Sequence, residues 1–343
     1  MFRGCWRDNR VNSVVPSNSA GVVGYVVIGR NEGERLRVCL ESVLSAANVV
    51  VYVDSGSTDG SVGMAQLMGA NVVNLDLSVP FTAARARNEG FRRLRDLVPD
   101  LEYVHYVDGD CELVDGWQDK AVQFLDEHKN VAVVCGRLRE RYPEKSIYNM
   151  LCDMEWDAAA GAAKSCGGIS MMRVKAFETV HGFRADLIAG EEPELCVRLR
   201  ASGWHVWRLG DEMAFHDAAM LRFGQWWKRT VRAGYAYAQA AVLHGAPPEL
   251  HGVSDSRSAW FWGAGVPTVI IGLAIGGRVW ALALVLIYPI QVTRLALKGH
   301  RGARENWWRA LFLVLGKFPE WMGQLKYRYH AIKGRQAALI EYK

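Results

Sequence analysis

Near its start the chain repeats one unit. An unbroken apolar run from Val22 to Ile28 leads through Asn31-Glu32-Gly33 into Leu36, Cys39, Leu40, Val43 and Leu44 at helical spacing. Val49 to Val53 then forms a second such run, DSGSTDGS a loop and Ser61 to Met68 a second helical stretch, before Ala70 to Leu75 reads as a third strand. Apolar periodicity that switches between strand and helix in this order predicts β-α-β units. A strand that is apolar at every position is buried on both faces, as in a parallel sheet covered by helices. Further on, Tyr103 to Val107 reads as a strand ending at Asp108, Ala121 to Glu127 as a helix and Val131 to Cys135 as another strand. The expected fold class is α/β, with a doubly wound, mixed but mainly parallel sheet.

The net charge of +5 is unevenly spread: residues 1–216 carry −6 and residues 217–343 carry +11. The basic part also holds an apolar stretch, residues 259–297, whose only charged residues are Arg278 and Arg294. Roughly 20 apolar residues cross a bilayer's hydrocarbon core, so the stretch divides into a transmembrane hairpin, Trp260 to Gly276 and Val279 to Leu297, turning at Gly276-Gly277-Arg278. A buried helical pair in a soluble domain is the alternative. Lys298, His300, Arg301 and Arg304 follow at once, as expected on a cytoplasmic face. The basic, tryptophan-rich stretch from Asn306 to His330 then reads as a helix lying on anionic lipid, and it carries no nucleic-acid-binding signature. The organisation expected is a flexible leader (1–20), a catalytic domain (21–217), an amphipathic helical linker (218–258), the hairpin (259–297) and a basic interfacial tail (298–343). The seven cysteines are scattered and odd in number, with no metal-ligand spacing, which argues against a disulfide framework and fits a reducing compartment.

The chemistry-bearing residues fall at strand ends and helix starts. Asp108-Gly109-Asp110 delivers two carboxylates to the carboxyl end of a strand, where open α/β sheets bind ligands; such oxygen ligands suit a hard divalent cation. Asp54 ends another strand and opens DSGSTDGS, on the same sheet edge. Arg87 and Asn88 precede a helical stretch, where an arginine fork can meet phosphate. In GEEPELCVRLRASGW, residues Glu191, Glu192 and Glu194 cluster at the positive end of a helix.

Taken in order, VVIGRNEGERL, DSGSTDGS, AARARNEG, DGD, CGGIS, HGFR and GEEPEL with a following RL and GW resemble the inverting, family 2 glycosyltransferases of GT-A fold, over about Val22 to Asp217. The resemblance implies that Gly29, Asn31, Glu32 and Asp54 line a base and ribose pocket, and that Arg87 and Asn88 match the family's ARN element. It implies that Asp108 and Asp110 match its DxD motif, with Asp110 the direct ligand of Mg or Mn and Asp108 nearer the ribose or a metal-bound water. Gly167 and Gly168 let acceptor or sugar approach the backbone, and His216 matches a late histidine that reaches metal or diphosphate. The family's Glu-Asp pair, whose second acid is the base, is Glu191-Glu192 here; Glu192 takes the base position with one extra methylene, and Glu191 is the alternative.

Gln225-Trp226-Trp227-Lys228-Arg229 resembles the QxxRW element of processive synthases but has Lys where Arg belongs. The implied protein transfers a sugar from a nucleotide-sugar, with a family leaning to UDP, to a lipid-linked or glycan acceptor at the cytoplasmic face of the inner membrane. It would serve polysaccharide or glycolipid assembly. The competing readings are a polyprenyl-phosphate monosaccharide transferase and a non-catalytic sugar-nucleotide-binding subunit. The sequence does not specify an oligomeric state.

Overall fold

The computed structural model describes residues 22–46 and 49–334, without the side chain of Val279; the expected leader lies outside them. The first part follows the predicted order: β1 (Val23–Gly29), α1 (Glu34–Leu44), β2 (Val50–Asp54), α2 (Ser61–Leu67), β3 (Asn71–Asn74), α3 (Ala83–Leu97) and β4 (Tyr103–Asp108). Strands β1, β2, β3 and β4 pair in parallel, with β1 between β2 and β4. Every residue of β2 is buried, as its unbroken apolar sequence requires. Helix α3 lies so close over this sheet that a methyl group on Gly90 would come within 2.3 Å of Val26 and 2.9 Å of Val53. Only glycine lets the helix sit at that depth, and the depth fixes Arg87 one turn earlier.

The chain then adds β5 (Cys111–Leu113), α4 (Trp117–Glu127), β6 (Val131–Glu140), α5 (Ile147–Trp156), β7 (Gly161–Ala162), β8 (Ser170–Arg173), α6 (Val174–Thr179), α7 (Glu191–Ala201) and β9 (His205–His216). Strand β8 pairs antiparallel with both β4 and β6, and β6 runs parallel to β9 with breaks in register. The sheet order is β3-β2-β1-β4-β8-β6-β9-β5, with β7 on β9. The mainly parallel reading therefore holds, with antiparallel pairings confined to the second half.

Within β4, His105 is fully buried. Trp117 Nε1 donates to His105 Nε2 at 2.8 Å, and the Tyr25 ring stacks on the imidazole with centroids 5.2 Å apart. Burial holds the imidazole down to about 4, from an ordinary 6.5. The unfolded chain therefore binds this proton first as pH falls, so the stability is present above about pH 6.5 and is lost toward pH 4. Chemical denaturation is expected to show the wild type losing about 2 kcal/mol more than His105→Gln between roughly pH 7 and pH 4.5. Equal losses in the two proteins would assign the acid sensitivity elsewhere.

The remaining chain is helical: α8 (Phe223–His244), α9 (Val253–Trp260), α10 (Val266–Ile275), α11 (Ile287–Leu297), α12 (Ala303–Leu315) and α13 (Lys317–Lys333). A π-turn at Phe261–Gly265 joins α9 to α10 in one apolar rod, Val253–Ile275, and a 3-10 segment, Val279–Leu286, leads into α11. The turn falls at Gly276 to Arg278, as expected, with Gly277 in the left-handed region at φ 78°. Only 17% and 11% of the apolar windows of the two rods are buried; Ile275 is 83% and Trp280 64% exposed. A soluble core pair would be mostly buried, so the exposed apolar surface points to association with a membrane.

The tail departs from its expected form. It breaks at Gly316 into two helices, and α13 packs along α8 rather than lying free on a lipid surface. The two backbones touch where Gly234 faces Glu320 and Gly323 faces Val231, contacts at which any side chain would collide with main-chain atoms. Gln324, fully buried, adds hydrogen bonds to Ser256 of α9 at 2.7 and 3.2 Å.

Candidate active site

The carboxyl ends of β1, β4 and β9, the start of α7 and one face of α8 enclose a cavity of about 860 Å³. Asp108, Gly109 and Asp110 form part of its floor. Gly109 sits under the Ile28 carbonyl, to which its amide donates at 2.8 Å, and a Cβ would lie 3.2 Å from that oxygen. The tight turn sends the two flanking carboxylates in different directions. Asp108 turns toward α3, where its Oδ1 accepts from Arg87 Nη2 at 2.7 Å. Asp110 is 4% exposed and turns toward β9, with Oδ2 3.2 Å from His216 Nε2.

His216 reaches this position because β5 and β9 pair Cys111 directly with His216, next to Asp110. The Trp156 ring meets the imidazole edge-on at 4.7 Å, and His216 Nδ1 is buried without a hydrogen-bond partner. Burial lowers the histidine below its ordinary value and favours the neutral, ligating imidazole. Asp110, Cys111 and His216 could together hold a metal ion. Burial raises the Cys111 thiol well above its usual range, so the oxygen and imidazole donors, rather than the sulfur, suit a hard cation.

Opposite the DGD turn, α7 begins at Gly190, in the left-handed region at φ 77°, and places Glu191, Glu192 and Glu194 in its first turn. Glu191 forms an ion pair with Arg87 Nη1, so the guanidinium, 2% exposed, bridges Asp108 and Glu191. Glu192 is 1% exposed, and its Oε1 accepts from the Cys166 amide at 2.8 Å and the Cys196 thiol at 3.0 Å. Its Oε2 is buried without a partner, and burial raises the carboxyl above its usual range. Glu194 turns away from the cavity, between Arg198 and His244 of α8, whose Nε2 is 3.0 Å from Oε1.

Several expected residues stand elsewhere or do other work. Asp54 does not line the cavity: it is buried, with Oδ2 accepting from the Gly56 and Ser57 amides at 2.9 and 2.7 Å and Oδ1 from the Tyr52 hydroxyl at 2.9 Å. It shapes the loop that brings its neighbour Ser55 to the wall. Asn88 is also off the wall. Its side chain clasps the Phe183 amide and carbonyl at 3.0 and 2.7 Å, because the helix turn after Arg87 points it at that loop. Gly29, Asn31 and Glu32 do line the cavity; Asn31 also anchors Ser57 and Thr58, and Glu32 pairs with Arg35 at 2.6 Å. Gly168 makes room for Arg87, whose guanidinium would lie 2.4 Å from an added methyl, whereas Gly167, at φ 96°, has open space around it.

The sequence reading did not single out Trp156, Arg208 and Arg232, nor place Arg229 in the site, yet all of them line the cavity. Arg229 pairs with Glu155 at 2.9 and 3.0 Å. Arg229 and Arg232 share a face of α8 at i,i+3, but no sequence spacing links them to Trp156 or Arg208. They meet because the 217–220 segment is held by buried Glu140 and Asn149, which accept from the Ala218 and Met220 amides at 3.1 and 3.0 Å.

A parallel β-α-β half joined to a mixed half, with acids at the tip of β4 facing acids at the start of α7, is the GT-A fold of glycosyltransferases. A solved structure similar to it is the mannosyltransferase PcManGT from Pyrobaculum calidifontis in complex with GDP-Man and Mn²⁺, at 18% identity and a TM-score of 0.60. That likeness covers 88% of this chain and 86% of that one. Residues 1–349 of S. aureus TarS are also similar, at 16% identity, a TM-score of 0.49 and coverage of 90% and 91%. Residues 25–180 match glycosyl transferase family 2, and residues 150–222 match the N-terminal domain of galactosyltransferase. The stretch from β1 to α6 is accordingly similar to glycosyl transferase family 2. No curated protein matches the chain.

Proposed function

We propose that the protein is a membrane-attached, inverting glycosyltransferase that moves a sugar from a nucleotide-sugar to a lipid-linked acceptor in polysaccharide or glycolipid assembly, at the cytoplasmic face of the membrane. The observation that carries this reading is the meeting of Asp108, Asp110, His216 and Glu192 on one cavity. Arg30, Asn31, Ser55 and Phe81 line one region of it and form the base and ribose end. The metal site is assigned to Asp110 and His216, with Asp108 beside them. The orphaned His216 Nδ1, the neutral imidazole and the adjacent carboxylate fit a divalent ion such as Mg or Mn, and the similar mannosyltransferase carries Mn²⁺ with GDP-Man. When bound, the ion supplies charge neutralisation to the departing diphosphate.

Arg87 holds Asp108 and Glu191 in register, so that the two acid-bearing elements keep a fixed separation. Glu192 is the base: Oε2 takes the proton of an acceptor hydroxyl as that oxygen bonds to the anomeric carbon. The bond from that carbon to the diphosphate oxygen breaks on the opposite face, inverting the centre. Trp156, Arg208, Arg229 and Arg232 line the acceptor end. Their charge suits an acceptor that carries phosphate, as a lipid-linked one does. The same arginines favour the polyprenyl-phosphate reading over the non-catalytic one. In that case the acceptor oxygen is already ionised and the base is dispensable.

Incubation with radiolabelled UDP- and GDP-sugars, membranes and Mn²⁺ is expected to yield a labelled, lipid-extractable product, abolished by a chelator and restored by the metal. A product that releases its sugar in mild acid identifies a phosphodiester and the second reading. Donor binding by calorimetry without turnover on any membrane extract would leave only a binding subunit.

A further inference from the structure

The assignment of Glu192 as base leaves its two carboxylate oxygens in unlike surroundings. Oε1 takes donors from two separate elements, the Cys166 amide at 2.8 Å from the loop before β8 and the Cys196 thiol at 3.0 Å from one turn along α7. Oε2 takes none. Cys196 is fully buried behind Glu192 and does not itself line the cavity, so it touches no substrate. We infer that Cys196 is a positioning residue: its thiol and the Cys166 amide hold the Glu192 carboxylate by Oε1 alone, in the rotamer that presents Oε2 as the proton acceptor.

The inference rests on Glu192 being the base and adds what orients it. Two donors on Oε1 fix the carboxylate and leave Oε2 without a hydrogen-bond partner, while the nearby Gly167 amide adds to the polarity that favours the ionised form. They also stabilise the ionised form against the burial that disfavours it. The other titratable groups that influence Glu192 or its thiol donor are Glu191 at the head of α7, Cys166 on the facing loop, Cys135 of β6 and Arg200 farther along α7. Burial keeps the Cys166 and Cys196 thiols protonated, so Cys196 acts as a donor throughout the range in which the carboxyl titrates.

The test is the pH profile of kcat at saturating Mn²⁺ for the full-length, membrane-bound protein. Cys196→Ala removes a donor to the charged form, so the acidic limb is expected to move up by about one pH unit. Cys196→Ser restores a donor of nearly the same size, and its limb is expected to return to the wild-type position or below it. A limb that stays put in both variants while kcat falls, or that moves alike in both, assigns Cys196 to packing and overturns the inference. Glu192→Gln separates this failure from that of the base assignment: if the Gln variant turns over as the wild type does, Glu192 is not the base and Cys196 positions nothing catalytic. Circular dichroism and donor affinity, unchanged in all three variants, confirm that the comparison is made on folded protein.

Discussion

Asp110→Asn is expected to lower sugar transfer by about 10³-fold or more while the protein still folds and reaches the membrane. Two effects combine at this position. The carboxylate is nearly buried beside His216, and replacing it with a neutral amide removes a negative charge 3.2 Å from the imidazole. A divalent ion bound by carboxylate and imidazole loses most of its affinity when the carboxylate goes, so raising Mn²⁺ should recover only part of the activity. The measurement is initial rate against Mn²⁺ concentration. Undiminished turnover in the Asn variant would remove the metal site, and with it the proposed mechanism. The amide can still hydrogen-bond His216, which is why the loss is expected in rate rather than in stability.

Glu192→Gln should have the second large effect, with kcat down by about 10³-fold and donor affinity unchanged. The structure distinguishes Glu192 from its neighbour, which the sequence could not. Glu191 is tied through Oε1 to the Arg87 guanidinium that also holds Asp108, whereas Glu192 is nearly fully buried, takes its donors from an amide and a thiol, and keeps Oε2 without a partner. Glu191→Gln is therefore expected to weaken activity through Arg87 and Asp108, by roughly tenfold, and to raise the donor KM with it. A dead Glu191→Gln enzyme beside an active Glu192→Gln enzyme reverses the assignment. If instead Glu192→Gln is silent and the product is an acid-labile phosphodiester, the acceptor is a phosphate and needs no base.

Much of the fold was legible because parallel strands advertise themselves: Tyr25 to Val27 and Val50 to Val53 are apolar without interruption and each is followed by a helix of the right period, and Tyr103 to Val107 is broken only by His105. The placement of Asp108 and Asp110 at a strand tip followed from the same pattern, as did the acids at the start of α7. What could not be read is where a side chain points once its helix is set in depth. Arg87 and Asn88 are adjacent in sequence, yet one faces the cavity and the other a loop, because Gly90 sinks α3 onto Val26 and Val53. Asp54 ends its strand as expected, but the turn after it curls back and claims Oδ2 while Tyr52 of the same strand claims Oδ1. The wall formed by Trp156, Arg208, Arg229 and Arg232 was hidden for another reason: the two arginines of α8 meet residues of α5 and β9 that are distant in sequence, across a 217–220 segment held by the Glu140 and Asn149 hydrogen bonds.

The contact between Glu194 and His244 has a practical outcome. The helix that begins with the two acids is bolted to α8, and α8 is in turn wedged against α13, beyond the apolar hairpin. Cutting the chain after β9 to obtain a handier reagent would strip one side off the reaction chamber and strand a buried glutamate without its imidazole. Protein for assays has to keep α8 and α13.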